Sequence, residues 1–119
     1  AGANDNSLVL RVTFGARSAL LVGDAERAAE ERLLRTDAGR LRADFLKVGH
    51  HGSRTSTSAA FLSVVRPEVA AISAGVMNRF GHPHPATLAT LEAAGVQVLR
   101  TDRGGEIVWE TDGTVARAY

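Results

Sequence analysis

The first third of the chain changes from an alternating hydrophobic pattern to a helical one. Residues 7–15, SLVLRVTFG, alternate apolar and polar side chains and include β-branched residues, which predicts a strand. Residues 16–24, ARSALLVGD, follow a turn at Gly15 and predict a second strand paired with the first. Residues 25–35, AERAAEERLLR, are rich in Ala, Glu and Leu and predict a helix, with Ala28, Leu33 and Leu34 available for one face.

The remaining pattern alternates strands with helices and then ends in strands. Two further helices are predicted at 57–68, stopped by Pro67, and at 86–95, closed by Gly95. Hairpin turns are predicted at Gly104-Gly105 and Asp112-Gly113. The remaining strands are predicted at 43–49, 69–75, 96–102, 105–113 and 114–119. This order predicts an α/β (α+β layered) domain.

Composition adds few constraints on function. With 119 residues, of which 45% are hydrophobic, the chain is long enough for one core. A net charge of +1 indicates no general attraction to nucleic acid or membrane, so any anion site must be local. The absence of cysteine excludes disulfides and thiolate metal sites within these residues.

The four histidines all lie in predicted loops between residues 50 and 84. A lone histidine is more often an ordinary surface or core residue than a ligand, and we interpret His84, between two prolines, in that way. Asp24, the pair His50-His51 and His82 each close a predicted strand. Functional sites of α/β sheets form at the carboxyl ends of strands, so these side chains are candidates for binding or catalysis.

Asp24 has two interpretations, and the two histidines of the pair can serve two tasks. Asp24 precedes a predicted helix and fits an N-cap, but the turn allowed by Gly23 also suits a metal-binding carboxylate. Glycines flank His50-His51, so one imidazole can bind a cation while the next faces substrate.

A row of hydroxyl side chains follows the histidine pair, with Arg54 among them. Near a helix start these hydroxyls suit a phosphate oxygen, or they form a helix cap and a solvated loop. The residues are Ser53, Thr55, Ser56, Thr57 and Ser58.

Three segments, in order and over nearly the whole chain, together resemble one known family. They are NDNSLVLRVTFGARSALLVGD, LRADFLKVGHHGSRTSTSAAFLSVVRPEVAAISAG and NRFGHPHPATLATLEAAGVQVLRTDRGGEI. The family is the C-terminal metallo-β-lactamase-type domain of ComEC, the DNA-internalisation competence protein. The HHGS and N-R-F-G-H-P motifs are each fairly specific, and their combination is a strong signal.

The resemblance implies a metal-dependent hydrolase fold, an αββα sandwich with two divalent ions, Zn or Mn, at one edge. In this resemblance Asp24 matches the bridging aspartate, and His50 matches the final histidine ligand, with His51 as second choice. Asn4 or Asp5 stands where many relatives carry the histidine of the third motif. An amide is a poor ligand for a borderline-soft ion, so that position departs from the pattern.

The implied activity is hydrolysis of a phosphodiester in DNA, single-stranded DNA above all, during natural transformation. His51 and His82 would donate to a phosphate oxygen or protonate the leaving group, and Ser53 and Asn78 would orient the diester. Two other interpretations stay open: a hydrolase of small esters on the same scaffold, and a metal-free interaction module.

The first motif of the family, H-x-H-x-D-H, does not occur in these residues, since no histidine precedes His50. We therefore expect residues 1–119 to form the C-terminal half of the domain and to be inactive alone. The expected partners are DNA, the half that carries the other ligands, the membrane channel of the parent protein and, for the isolated fragment, a second copy. The expected location is the cell membrane, as a soluble domain on the extracytoplasmic side.

Overall fold

Strands and helices alternate along the part of the chain that the computed structural model describes, which is residues 9–23, 27–48, 57–73 and 85–119. The strands in these ranges are β1 (Leu10–Phe14), β2 (Arg17–Leu21), β3 (Phe45–Lys47), β4 (Val69–Ile72), β5 (Gln97–Arg100), β6 (Trp109–Thr111) and β7 (Ala116–Ala118). The helices are α1 (Arg27–Asp37), α2 (Ala59–Val65), α3 (Pro85–Ala93) and the short α4 (Thr101–Gly104), with a 3-10 turn at Ala38–Arg40. No helix in these ranges is long and apolar enough to cross a membrane.

The first five strands of the described chain form one sheet in chain order. β1 is antiparallel to β2, with Val12 opposite Ala19. β2 to β5 are mutually parallel, and Ala19, Phe45 and Val69 share one level of the sheet. Parallel neighbours require a crossover, which α1, α2 and α3 supply in turn. The predicted α/β class is confirmed.

The main core lies between one face of this sheet and the helices α1 to α3. Leu20, Leu46 and Ala70 share a level and are buried together with Phe61 of α2 and Leu91 of α3. Each fully buried aliphatic or aromatic side chain contributes about 1.5–3 kcal/mol. This face is therefore the main source of stability and holds β2, β3 and β4 at fixed positions.

The opposite face of the sheet is only partly covered. Phe45 of β3 stacks on Trp109 of the β6–β7 hairpin, with ring centroids 5.3 Å apart. At the edge strand, Leu10, Val12 and Phe14 remain 47%, 54% and 60% exposed. The hairpin thus covers only part of this face, and self-association of the isolated fragment stays a prediction.

Two helix ends follow the predicted stop signals. α2 ends at Val65, and Arg66 takes a left-handed conformation, φ 50°, while its N–H donates to the Leu62 carbonyl at 2.8 Å. Proline disfavours a helical conformation in the residue before it, so Pro67 explains this end. α3 ends before Gly95, whose φ of 75° closes the helix with a bond to the Glu92 carbonyl.

One of the two predicted hairpins is wrong. The chain does not fold back at Gly104-Gly105: it forms α4, and β6 pairs with β7 instead of β5. Asp102 lies in the first turn of α4, where a negative charge favours a helix, and its carboxylate accepts hydrogen bonds from the Arg100 guanidinium at 3.0 and 2.7 Å. That interaction also raises the pKa of Arg100.

The hairpin at Asp112-Gly113 is confirmed. The Asp112 carboxylate accepts hydrogen bonds from the backbone N–H groups of Val115 and Thr114, at 2.9 and 2.8 Å, and these bonds lower its pKa. Gly113 has φ 97°, a conformation that glycine adopts without steric cost.

The turn at Gly15 packs directly on the turn at Gly113, which leads to a prediction. Gly15 has φ 60°, and a Cβ on it would lie 2.5 Å from the Gly113 carbonyl oxygen, which accepts the Ala16 N–H at 2.7 Å. Gly15→Ala should therefore separate the two turns and cost at least about 1–2 kcal/mol for the left-handed backbone alone. The hydrogen-exchange rate of the Ala16 amide reports on the contact between the two turns, and it should rise in this variant.

Gly39→Ala is the matched control, because a Cβ on Gly39 would meet no atom within 4 Å. It should leave exchange at Ala16 unchanged. Equal exchange in the Gly15 variant and the wild type would mean that the contact between the turns does not hold the hairpin on the sheet.

Candidate functional site

Three neighbouring parallel strands end at the same border of the sheet, which we call the carboxyl edge: Leu21–Gly23, Val48 and Ile72–Ser73. The strands stop at one level, since Lys47 pairs with both Leu21 and Ala71. The Val48 N–H also donates to the Ala71 carbonyl at 2.9 Å. Neighbouring strands lie about 4.8 Å apart, so the ends of β2 and β4 are separated by about 10 Å.

The segments that follow these ends carry most of the predicted site residues. They start after Gly23, after Val48 and after Ser73. Their positions and contacts stay predictions, because the candidates lie outside the described residues: Asp24, His50, His51, Ser53, Asn78, His82, Asn4 and Asp5. In the described ranges no three His, Asp or Glu side chains lie close enough to hold a metal ion.

Glu30, near the start of α1, connects that helix to the start of α2. Its side chain is buried, with 1% of its surface exposed. One carboxylate oxygen accepts the backbone N–H of Thr57, and the other accepts that of Ser58 at 2.9 Å. A buried carboxylate is tolerated where it receives hydrogen bonds, and such charge-assisted bonds are among the strongest.

The start of α2 is organised by Ser58 and Thr57. Ser58 is the N-cap, and its hydroxyl oxygen accepts the Phe61 N–H at 3.1 Å. Thr57 is buried and has φ 59°, which is unusual for a β-branched residue. For Ser58 the helix-cap interpretation is therefore confirmed, and its hydroxyl acts within the helix.

Sequence reasoning missed Glu30, although a signal was present. Glu30 precedes Leu33 and Leu34 by three and four residues, the spacing that places it on the same helix face as these apolar side chains. A charged residue on an apolar face predicts a buried, hydrogen-bonded group. Leu33 and Leu34 do pack against the main core.

Lys47 is a second residue that sequence reasoning did not select. It is the last residue of β3 and half-buried, and its ammonium donates to the Val48 carbonyl at 3.1 Å. Its register with Ala71 places it on the sheet face that carries Trp109, not on the face of the helices. A positive charge therefore lies at the carboxyl edge, where it favours an anion.

A groove of about 800 Å³ lies between α2 and α3, at a different place from the carboxyl edge. It is lined mainly by small and apolar side chains, together with Arg66 and Thr90. Arg66, Pro67 and Val96 come just before β4 and β5, so the groove reaches the amino ends of these strands. It brings together none of the predicted site residues.

The described elements define an α/β layered protein with helices on one sheet face and a candidate site at the carboxyl edge. The chain is 43% identical to ComE operon protein 3 of Bacillus subtilis over 107 residues, which are 90% of the chain. It is 41% identical over 104 residues to competence protein ComA of Neisseria gonorrhoeae. It is 43% identical over 104 residues to recombination protein 2 of Haemophilus influenzae. No family model and no solved structure matches the chain.

These similarities cover much of the chain but little of the relatives. The aligned residues are 87–90% of this chain, and they are 14%, 15% and 13% of the three relatives in turn. The chain thus spans about one seventh of the length of the curated proteins it matches. The predicted resemblance to competence proteins is supported at this level, and the metallo-β-lactamase type stays a prediction.

Proposed function

We propose that this chain is part of a metal-dependent phosphodiesterase or nuclease domain of a ComEC-type protein that acts in DNA uptake during natural transformation. The observation that carries the chemistry is the carboxyl edge, because β2, β3 and β4 end side by side there. The segments that follow them contain the aspartate and the histidines. The role in DNA uptake is proposed from the resemblance to the ComEC family and from the similarity to competence protein ComA of Neisseria gonorrhoeae, which is 41% identical.

The donor set fits divalent ions of the Zn or Mn class. Asp24 would bridge two ions and His50 would bind one, since carboxylate and imidazole both suit such metals. Two protein ligands are fewer than a catalytic ion ordinarily has, so further ligands would come from the H-x-H-x-D-H part of the domain. When bound, the ions supply a water of lowered pKa and positive charge beside the attacked phosphate.

The other residues of the chain would act on the substrate. His51 and His82 would donate to a phosphate oxygen or protonate the leaving group, and Ser53 and Asn78 would orient the diester. Lys47, the last residue of β3, would add positive charge beside the phosphodiester at the carboxyl edge. This combination suits a phosphodiester, and single-stranded DNA is proposed as its source from the resemblance to the ComEC family.

The proposed setting is the extracytoplasmic side of the cell membrane. There the domain would be attached to the channel part of a longer protein and completed by its first half. The carboxyl edge of the sheet, where Lys47 lies, would face the DNA path. The part of the sheet surface at β1, which the β6–β7 hairpin leaves exposed, would pack against the rest of the domain.

The test is cleavage of single-stranded DNA by the full-length protein that carries this sequence. Cleavage should require a divalent ion, stop with a chelator and resume when Zn²⁺ or Mn²⁺ is restored. Hydrolysis of a phosphocholine ester or a lactone without DNA cleavage would favour a small-ester hydrolase on this scaffold. A protein that binds no divalent ion and cleaves neither substrate would be a non-catalytic interaction module.

A further inference from the structure

We propose that Glu30 is a positioning residue of the candidate site, acting through its hydrogen bonds to the backbone at the start of α2. The inference rests on the proposed function, because it assigns Glu30 to the placement of the predicted metal ligands. Glu30 lies six residues after Asp24, and Thr57 lies six residues after His51. One carboxylate therefore connects the helices that follow the two ligand-bearing segments.

The geometry is specific for a carboxylate. Thr57 and Ser58 present two consecutive backbone N–H groups, and each oxygen of Glu30 accepts one of them. The two oxygens of one carboxylate match two adjacent donors, whereas an amide offers a single acceptor oxygen and no charge. The charge is 1% exposed, so these bonds are not weakened by competition with water.

The backbone conformation of Thr57 gives the connection a function beyond packing. A β-branched residue at φ 59° is held only where its surroundings determine it, and the bond from its N–H to Glu30 does so. That conformation sets the direction in which the chain enters α2. The segment that carries His50 and His51 ends at Thr57, so the bond to Glu30 fixes the point at which that segment joins α2.

Glu30→Gln in the full-length protein tests this, with Glu31→Gln as the matched control. Gln keeps the size of the side chain but loses the charge and one acceptor, while Glu31 is exposed on the same helix. In Glu30→Gln, the Thr57 and Ser58 amides should exchange with solvent about 10-fold faster, and Zn²⁺ or Mn²⁺ affinity should fall by the roughly 10–100-fold typical of residues that orient ligands. Glu31→Gln should change neither.

The outcomes separate the inference from the proposed function. A wild-type protein that binds no divalent ion refutes the proposed function, whatever the amides of the Glu30 variant show. A wild-type protein that binds ions, with unchanged affinity in Glu30→Gln despite faster amide exchange, overturns the positioning role alone. If Glu30→Gln does not fold, Glu30→Asp keeps the charge with a shorter reach. An intermediate loss of metal affinity there supports the role, and wild-type affinity overturns it.

Discussion

Asp24→Asn should abolish divalent-ion-dependent DNA cleavage while leaving the fold almost unchanged. Asn caps a helix about as well as Asp, so the free energy of unfolding should change by about 1 kcal/mol or less. The bridging role needs negative charge, which Asn lacks. The rate should therefore fall by more than the roughly 10–100-fold that follows loss of a residue outside the first ligand shell. Cleavage rate, metal content and thermal stability of the full-length protein are the measurements.

Asp37→Asn is the control for this experiment, because it makes the same chemical change at the other end of α1. Asp37 lies ten residues beyond Arg27, about 15 Å along the helix axis, and accepts only a local hydrogen bond from Thr36 among the contacts described. It should leave metal content and cleavage unchanged. Full cleavage activity in Asp24→Asn would rule out the bridging role and leave the helix cap as the function of Asp24.

The sheet could be predicted because its signals are local. Alternation in β1, the apolar runs in β2 and β4, and the proline and glycine at the ends of α2 and α3 act over a few residues. The prediction of a hairpin at Gly104-Gly105 was wrong because glycines permit a turn but do not determine which strands pair. The structure instead pairs β6 with β7 and places the Arg100–Asp102 ion pair at the turn after β5. Strand partners depend on tertiary contacts that no short pattern contains.

The candidate site could be predicted only at the level of strand ends. That several polar residues follow neighbouring strands is visible in the sequence, and the parallel order of β2, β3 and β4 brings those ends to one edge. Lys47 gives no sequence signal, because a charged residue in a strand ordinarily faces water. The spacing of Glu30 from Leu33 and Leu34 indicates burial on the core face, but it does not identify the groups that Glu30 binds. The place of Glu30 and Lys47 at the site depends on how α1 packs on α2 and on which sheet face Lys47 occupies, and both are tertiary facts.

The roles of His50 and His51 should be distinguishable when metal binding and turnover are measured on the same variants. The two imidazoles are adjacent in sequence after β3, so they can serve different roles only if they point in different directions. His50→Ala should lower metal occupancy and rate together, because it removes a predicted ligand. His51→Ala should keep the metal and slow turnover by about 10²–10⁴-fold, the range of acid–base groups.

Metal content after dialysis, read beside the DNA cleavage rate, distinguishes the two roles. Adding excess Zn²⁺ or Mn²⁺ gives a second comparison: it should restore part of the rate in His50→Ala, whose defect is occupancy, and none in His51→Ala, whose defect is proton transfer. The opposite pattern would exchange the two assignments. Equal metal loss in both variants would mean that both imidazoles bind ions, and proton donation would then fall to His82, the remaining candidate after β4.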